Sequence, residues 1–188
     1  MVSFGSLTRR IASLMTQNDP DELLRQRIAL LDLNQQTVDA LHRIAPFIES
    51  CLSGIIEDFY AHMQRFPEGR KAFRDTGKIH ALKSYQRDHW LRLFSAQLDQ
   101  DYLKESIRIG TAHLKGRVPP HLYIAGYNFF LAALLKRVST RYQNDPQLPV
   151  MCEAITKVAG LDMDLAMSVY LQQLWHEVMK PARAKAGE

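Results

Sequence analysis

Apolar residues recur along this chain at intervals of three, four and seven almost throughout, and no convincing stretch alternates with the period of two that a half-buried strand needs. The pattern predicts an all-α protein. Proline and glycine divide it into segments. "SLTRRIASLMTQ" (6–17) is weakly amphipathic, and "DPDELLRQRIALL" (19–31) opens with Asp and Pro as a helix start does. Both read as an appendage. From Asn34 to Phe66 the periodicity continues, and Pro46 is expected to split it into two helices because proline cannot donate the helical hydrogen bond. "PEGRKAF" (67–73) reads as a short turn. A helix over about 78–96 puts Ile79, Leu82, Gln86 and Leu93 on one face, flanked by His89 and Trp90. The next runs from Asp99 to Lys115, with Gly116 as its stop and Pro119 and Pro120 as the restart. Two long helices follow, about 120–142 and 148–179, before the tail "KPARAKAGE".

The last two helices are apolar on two faces. After Leu148, one line runs through Met151, Ile155, Val158, Leu165 and Val169, and a second through Met163, Met167, Tyr170, Leu174 and Val178. The helix before it has Tyr123, Tyr127, Phe130 and Leu134 on one side and Leu122, Gly126, Phe129 and Ala133 on another. A helix with two apolar faces must be buried twice. A homodimer through residues 120–142 and 148–179 satisfies this, and so does coverage of the second line by the chain's own N-terminal helices.

Composition narrows the function classes. With 188 residues, 46% of them hydrophobic, the chain suits one domain with a substantial core. Its longest unbroken apolar run is "FFLAALL" (129–135), and the first thirty residues hold no signal-type stretch, so no membrane span and a cytoplasmic location are expected. The net charge of +4 is spread over interleaved acids and bases, which argues against a nucleic-acid partner. Cys51 and Cys152 form neither a CxxC pair nor the CxxCH of covalent haem attachment. His176 and Glu177 begin like a zinc-protease helix, but Lys180 stands where the second histidine would be. His80 and His89, nine apart, fall on opposite sides of a helix, and Asp162 and Asp164, two apart, diverge. No phosphate-binding loop or nucleophile elbow is present.

The stretch "IGTAHLKGRVPPHLYIAGYNFF" (109–130) is more informative. His113 sits in the last turn of its helix, fixed between a stop and a restart, where one imidazole nitrogen can face a metal while the other donates to a carbonyl or water. Haem is the natural metal group, because one histidine tethers it whereas zinc needs three or four ligands. The same pattern also suits an ordinary hydrogen-bonded histidine, and spacing alone leaves both open.

Four motifs in order carry a resemblance to a known family. "IGTAHLKGRVPPHLYIAGY" is similar to the proximal helix and following helix of globin-coupled sensors, the bacterial haem-globin input domains of chemoreceptors and diguanylate cyclases. "IIEDFYAHMQRFPEGRKAF" resembles their distal helix, "DHWLRLFSAQLDQDY" their His/Arg-Trp segment and link, and "DMDLAMSVYL" their final helix. The resemblance covers roughly residues 25–175. It departs at one point: the family usually has glycine four residues after the ligand histidine, and here that place is Arg117, with Gly116 one earlier.

The resemblance implies a globin fold with an extra N-terminal helix and a short or missing helix between the distal-side helices, over residues 25–180, with 1–24 as an extension and 181–188 as a tail or linker. It implies non-covalently bound haem b, with His113 as the proximal iron ligand, Tyr60 as the distal donor to oxygen and Tyr123 on the proximal side. Leu82 and Gln86, one turn apart, are candidate distal-wall residues, with ordinary core packing as their alternative. Trp90, Phe73 and Val118 complete the expected cofactor-contacting set. The implied function is a gas sensor for O2, or for CO or NO, that is not itself an enzyme and signals to an output module in the same or another chain. A haem-free globin-like sensor domain and a small haem protein detoxifying O2 or NO are the alternatives.

Overall fold

The computed structural model describes residues 20–184, so the helix expected at 6–17 and the last four residues of the tail lie outside the described residues. The described chain forms α1 (Pro20–Leu30), α2 (Gln35–Met63), α3 (Pro67–Ala72), α4 (Thr76–Phe94), α5 (Gln100–Lys115), α6 (Pro120–Arg141) and α7 (Leu148–Ala184), with no strand among the described residues.

Asn34 starts α2 by accepting the Thr37 N–H at 3.2 Å. The helix then runs unbroken for 29 residues with Pro46 inside it, so the expected division there is corrected. An interior proline costs roughly 3 kcal/mol. Leu41, Ile44, Ile48, Leu52, Ile55 and Ile56, on either side of it, are all at most 2% exposed. Each such side chain contributes about 1.5–3 kcal/mol by burial, so a continuous buried stripe outweighs the proline.

The expected turn at 67–73 is instead the six-residue helix α3, the short element foreseen between the distal-side helices. Gly69 explains its placement, because a Cβ there would lie 2.0 Å from the Met63 carbonyl oxygen. Only glycine allows α3 to fold back this closely on the end of α2.

α7 runs through the middle of the packing: α5, α6 and α2 lie on it, α2 also crosses α4 and α6, and α1 rests on α5. Met151, Ile155, Val158, Leu161 and Leu165 of α7 are buried against the α2 stripe, together with Leu134 and Val138 of α6. The helix read as an appendage belongs to this body. Leu24 enters the core, and Arg27 pairs with Asp164 and donates to Ser168 at 3.0 Å, both on α7. The second α7 line is therefore partly covered within the chain: Tyr170 is buried and Met163 and Met167 half-buried, while Leu174 is exposed. The side chain of Val178 lies outside the described residues. No described helix is long and apolar enough to cross a membrane.

Candidate functional site

α5 begins with Asp99 accepting the Tyr102 N–H at 2.9 Å and ends in a closed six-residue turn. The Val118 N–H reaches back to the His113 carbonyl at 3.0 Å, and the Arg117 N–H reaches the Leu114 carbonyl at 3.0 Å. Such a turn needs one left-handed residue. Gly116, expected to be the stop, keeps right-handed helical angles (φ −71°), and Arg117 takes the left-handed position at φ +54°. The helix stops because its hydrogen bonds close there, and arginine occupies the place where glycine would fit without strain.

This turn fixes the backbone of His113. Its Nδ1 is 2.9 Å from the Ile109 carbonyl oxygen, which assigns the ring proton to Nδ1 and leaves a lone pair on Nε2. Burial, with a smaller contribution from His89, lowers the His113 pKa despite the Ile109 carbonyl, so the ring is neutral at physiological pH. A neutral imidazole with a free Nε2 is the form that binds a metal.

The distal candidates sit on α2 and α4. Tyr60 is buried, with its pKa pushed up to about 12 by burial and then by Glu57, so the hydroxyl is a protonated donor. Lys83 lies 5.4 Å from its ring centroid. Gln86 is half-buried, and its Oε1 has no hydrogen-bond partner. Leu82, one turn earlier, is 41% exposed. Val118 is half-buried at the end of the α5 turn.

One aromatic belt joins the two sides. His113 meets Tyr123 edge-on at 4.9 Å between centroids, and Tyr123 lies 5.3 Å from Tyr127, which lies 5.7 Å from Trp90. Trp90 stacks on Phe130 at 5.1 Å, Phe130 meets Phe59 at 4.9 Å, Phe59 meets Tyr60 at 5.3 Å, and Tyr60 meets Phe73 at 4.9 Å. His113, Tyr123, Trp90, Tyr60 and Phe73 are thus linked through one unbroken series of ring contacts. Leu82, Gln86 and Val118 are outside the chain of rings. The residues fit a flat apolar group with a metal centre: rings to lie against, one imidazole with a free nitrogen, and buried polar atoms at Gln86 Oε1 and Tyr123 Oη without protein partners. Two surface grooves of about 510 and 590 Å³ touch none of these residues, being lined instead by Phe47, Asp58 and the end of α6 and by the α6–α7 link.

A buried polar centre was not anticipated. Asp162 of α7 is 1% exposed. Its Oδ1 accepts from Tyr102 Oη at 2.6 Å and Ser106 Oγ at 2.8 Å, both on α5, and its Oδ2 accepts from His89 Nε2 at 2.8 Å on α4 and from Tyr127 Oη on α6. Burial disfavours charge on both Asp162 and His89, but their mutual bond outweighs it: Asp162 is held below and His89 above its ordinary pKa, with Glu105 also attracting the imidazole. Asp162 and Asp164 do diverge, since Asp164 faces outward to Arg27. One signal was legible: an aspartate four residues after Val158 and three before Leu165 falls on the buried line of α7.

Residues 21–176 match the Protoglobin family model. The heme-based aerotactic transducer HemAT of Halobacterium salinarum is 23% identical over 155 residues, which are 77% of this chain and 32% of that protein, so the chain spans about a third of that relative's length. Among solved structures, the globin domain of a Geobacter sulfurreducens globin-coupled sensor superposes with a TM-score of 0.73 at 18% identity, over 78% of this chain and 96% of that one. The ferric globin domain of E. coli DosC gives 0.61 at 15% identity, over 79% and 97%. The fold is that of these globin domains, as the sequence motifs implied, and with 156 consecutive residues matched the chain belongs to the protoglobin family.

Proposed function

We propose that this chain is a haem-based sensor domain for a diatomic gas, O2 foremost, that reports ligation to an output module. The observation that carries the reading is the state of His113: Nδ1 committed to the Ile109 carbonyl, Nε2 free, and the ring neutral at a helix end closed by hydrogen bonds. The names of the similar proteins, a heme-based transducer and the globin domains of sensors, support it.

His113 would hold haem b by Nε2, with no covalent attachment. When bound, the haem iron supplies an open coordination position to a gas. The chain's residues do the rest. The Ile109 carbonyl keeps the imidazole in one tautomer, and the ring belt from Tyr123 to Phe73 excludes water. Tyr60 donates a hydrogen bond to a ligand carrying partial negative charge, which favours O2 over CO, and Gln86 is a second polar group on the distal helix. Leu82, Trp90 and Val118 border the group. Signal output would pass through a homodimer built on α6 and α7, where Ile124, Leu171 and Leu174 are exposed apolar residues. The domain senses; catalysis belongs to its partner module.

An absorption spectrum of the purified, haem-supplied protein tests the reading. A Soret band that is lost or shifted in His113→Ala is expected, and restored by added imidazole. A wild type without haem after reconstitution selects the haem-free sensor. Rapid consumption of O2 or NO with a reductant selects the detoxifying protein.

A further inference from the structure

Asp162 accepts four hydrogen bonds from three other helices, which fills the roughly four lone-pair sites of a carboxylate. Two of them come from α5, the helix that carries His113 in its last turn, and from hydroxyls one turn apart, Tyr102 and Ser106. Two bonds to one buried anion at successive turns fix both the rotation of α5 about its axis and its height along α7. Further along α5, Gly110 touches α7 so closely that a Cβ would lie 2.6 Å from the Ala166 carbonyl oxygen. His113 is three residues beyond that contact. The direction of its imidazole therefore depends on how α5 is seated on α7.

We propose that Asp162 is a positioning residue for the His113 imidazole: through Tyr102 and Ser106 it sets the seating of α5 on α7, and so the angle at which Nε2 is presented. This rests on the haem-sensor reading above. The same carboxylate binds α4 through His89 and α6 through Tyr127, so a displacement of α5 is felt at one atom group by the distal helix and by both helices proposed for the dimer.

The test is the double variant Tyr102→Phe/Ser106→Ala in the full chain, which removes the two α5 hydroxyls and leaves the His89–Asp162 pair intact. Val158→Ala, a core truncation on α7 one turn before Asp162, controls for general loosening. In the haem-loaded ferrous protein, the iron–histidine stretching band should shift and broaden in the double variant. O2 release should change roughly threefold or more, the lower end of what one net hydrogen bond is worth. The Val158→Ala band should stay where the wild type has it. Asp162→Asn, whose amide oxygen still accepts from Tyr102 and Ser106, should retain most of the wild-type band position. An unmoved band in the double variant, or an equal shift in Val158→Ala, overturns the proposal. Amide hydrogen exchange of residues 107–116 in the haem-free protein supplies the independent readout. It should quicken in the double variant and not in Val158→Ala, and unchanged exchange counts against positioning even where no haem binds. A wild type that takes no haem fails the sensor reading alone. If the double variant does not fold, Ser106→Ala carries the same comparison.

Discussion

Tyr60 keeps its proton because burial, reinforced by Glu57, pushes its pKa up to about 12. It therefore remains a hydrogen-bond donor across the whole range in which the protein is handled. One net hydrogen bond of about 1–1.5 kcal/mol corresponds to roughly a tenfold change in rate. Tyr60→Phe should raise the O2 dissociation rate by about that factor and change CO release much less, and the difference should hold from pH 6 to 9. Stopped-flow measurement with both gases decides it, and equal effects on the two would remove Tyr60 from the role. His89 behaves oppositely with pH. Its folded pKa is raised, so the stability it contributes is complete below its ordinary value of about 6.5 and fades as pH rises through the higher folded value. Asp162 is lowered, so its contribution is complete above about pH 4 and is lost only in acid. The charged pair is at full strength between these limits. Glu105, which is paired with Arg92 at 2.8 Å, stands 3.7 Å from His89 Nδ1, and the hydroxyls of Tyr102, Tyr127 and Ser106 face the same carboxylate. His113, neutral when folded, pushes the other way below its ordinary pKa. The readout is therefore a difference between proteins. Urea unfolding at pH 6 and 8.5 should show wild type losing more stability than His89→Gln over that interval, and an equal or smaller loss would contradict the raised His89 pKa.

At the scale of the element, the end of α5 carries avoidable strain. A left-handed non-glycine residue costs about 1–2 kcal/mol, and Arg117 sits there at φ +54°. Arg117→Gly relieves it, less the entropy that glycine adds to the unfolded chain. The melting temperature of the haem-free protein should rise by about 2–4 °C. A fall would mean that the arginine side chain makes a contribution larger than the backbone relief. The same helix illustrates what pattern reading resolves. Its start, its length and the placement of His113 in its last turn were legible, because capping and periodicity are local. The residue that closes it was not, since Gly116 and Arg117 both satisfy the sequence and only the hydrogen bonds to His113 and Leu114 decide between them. Pro46 is a related case: its local cost is legible in the sequence, while the continuous buried stripe that outweighs it belongs to the packed helix.

For the molecule as a whole, the succession of helices and the long final pair follow from periodicity, and the haem reading from motifs spread over most of the chain. The centre at Asp162 did not follow. It is assembled from α4, α5, α6 and α7, and no spacing along the chain brings His89, Tyr102, Tyr127 and Asp162 together. The dimer expectation narrows in the folded chain. Tyr170 is used internally, so the apolar surface left for a partner centres on Leu171 and Leu174, 56% and 58% exposed. Light scattering at tens of micromolar, where a micromolar Kd still holds two copies together, should give a dimer for wild type and a monomer with haem retained for Leu171→Glu/Leu174→Glu. A monomeric wild type ends the idea.

Gly110 has a mechanical consequence. Where α5 and α7 come so close that no Cβ fits, α5 cannot move inward towards α7, and a tilt about that point is the displacement the contact opposes least. It is then a lever with its fulcrum at Gly110. With a rise of about 1.5 Å per residue, His113 lies roughly 4.5 Å from the fulcrum on one arm and Tyr102 roughly 12 Å on the other. A small pull at the imidazole would reappear at Tyr102 reversed in direction and magnified roughly two- to threefold, at the end of the helix held by the Asp162 carboxylate.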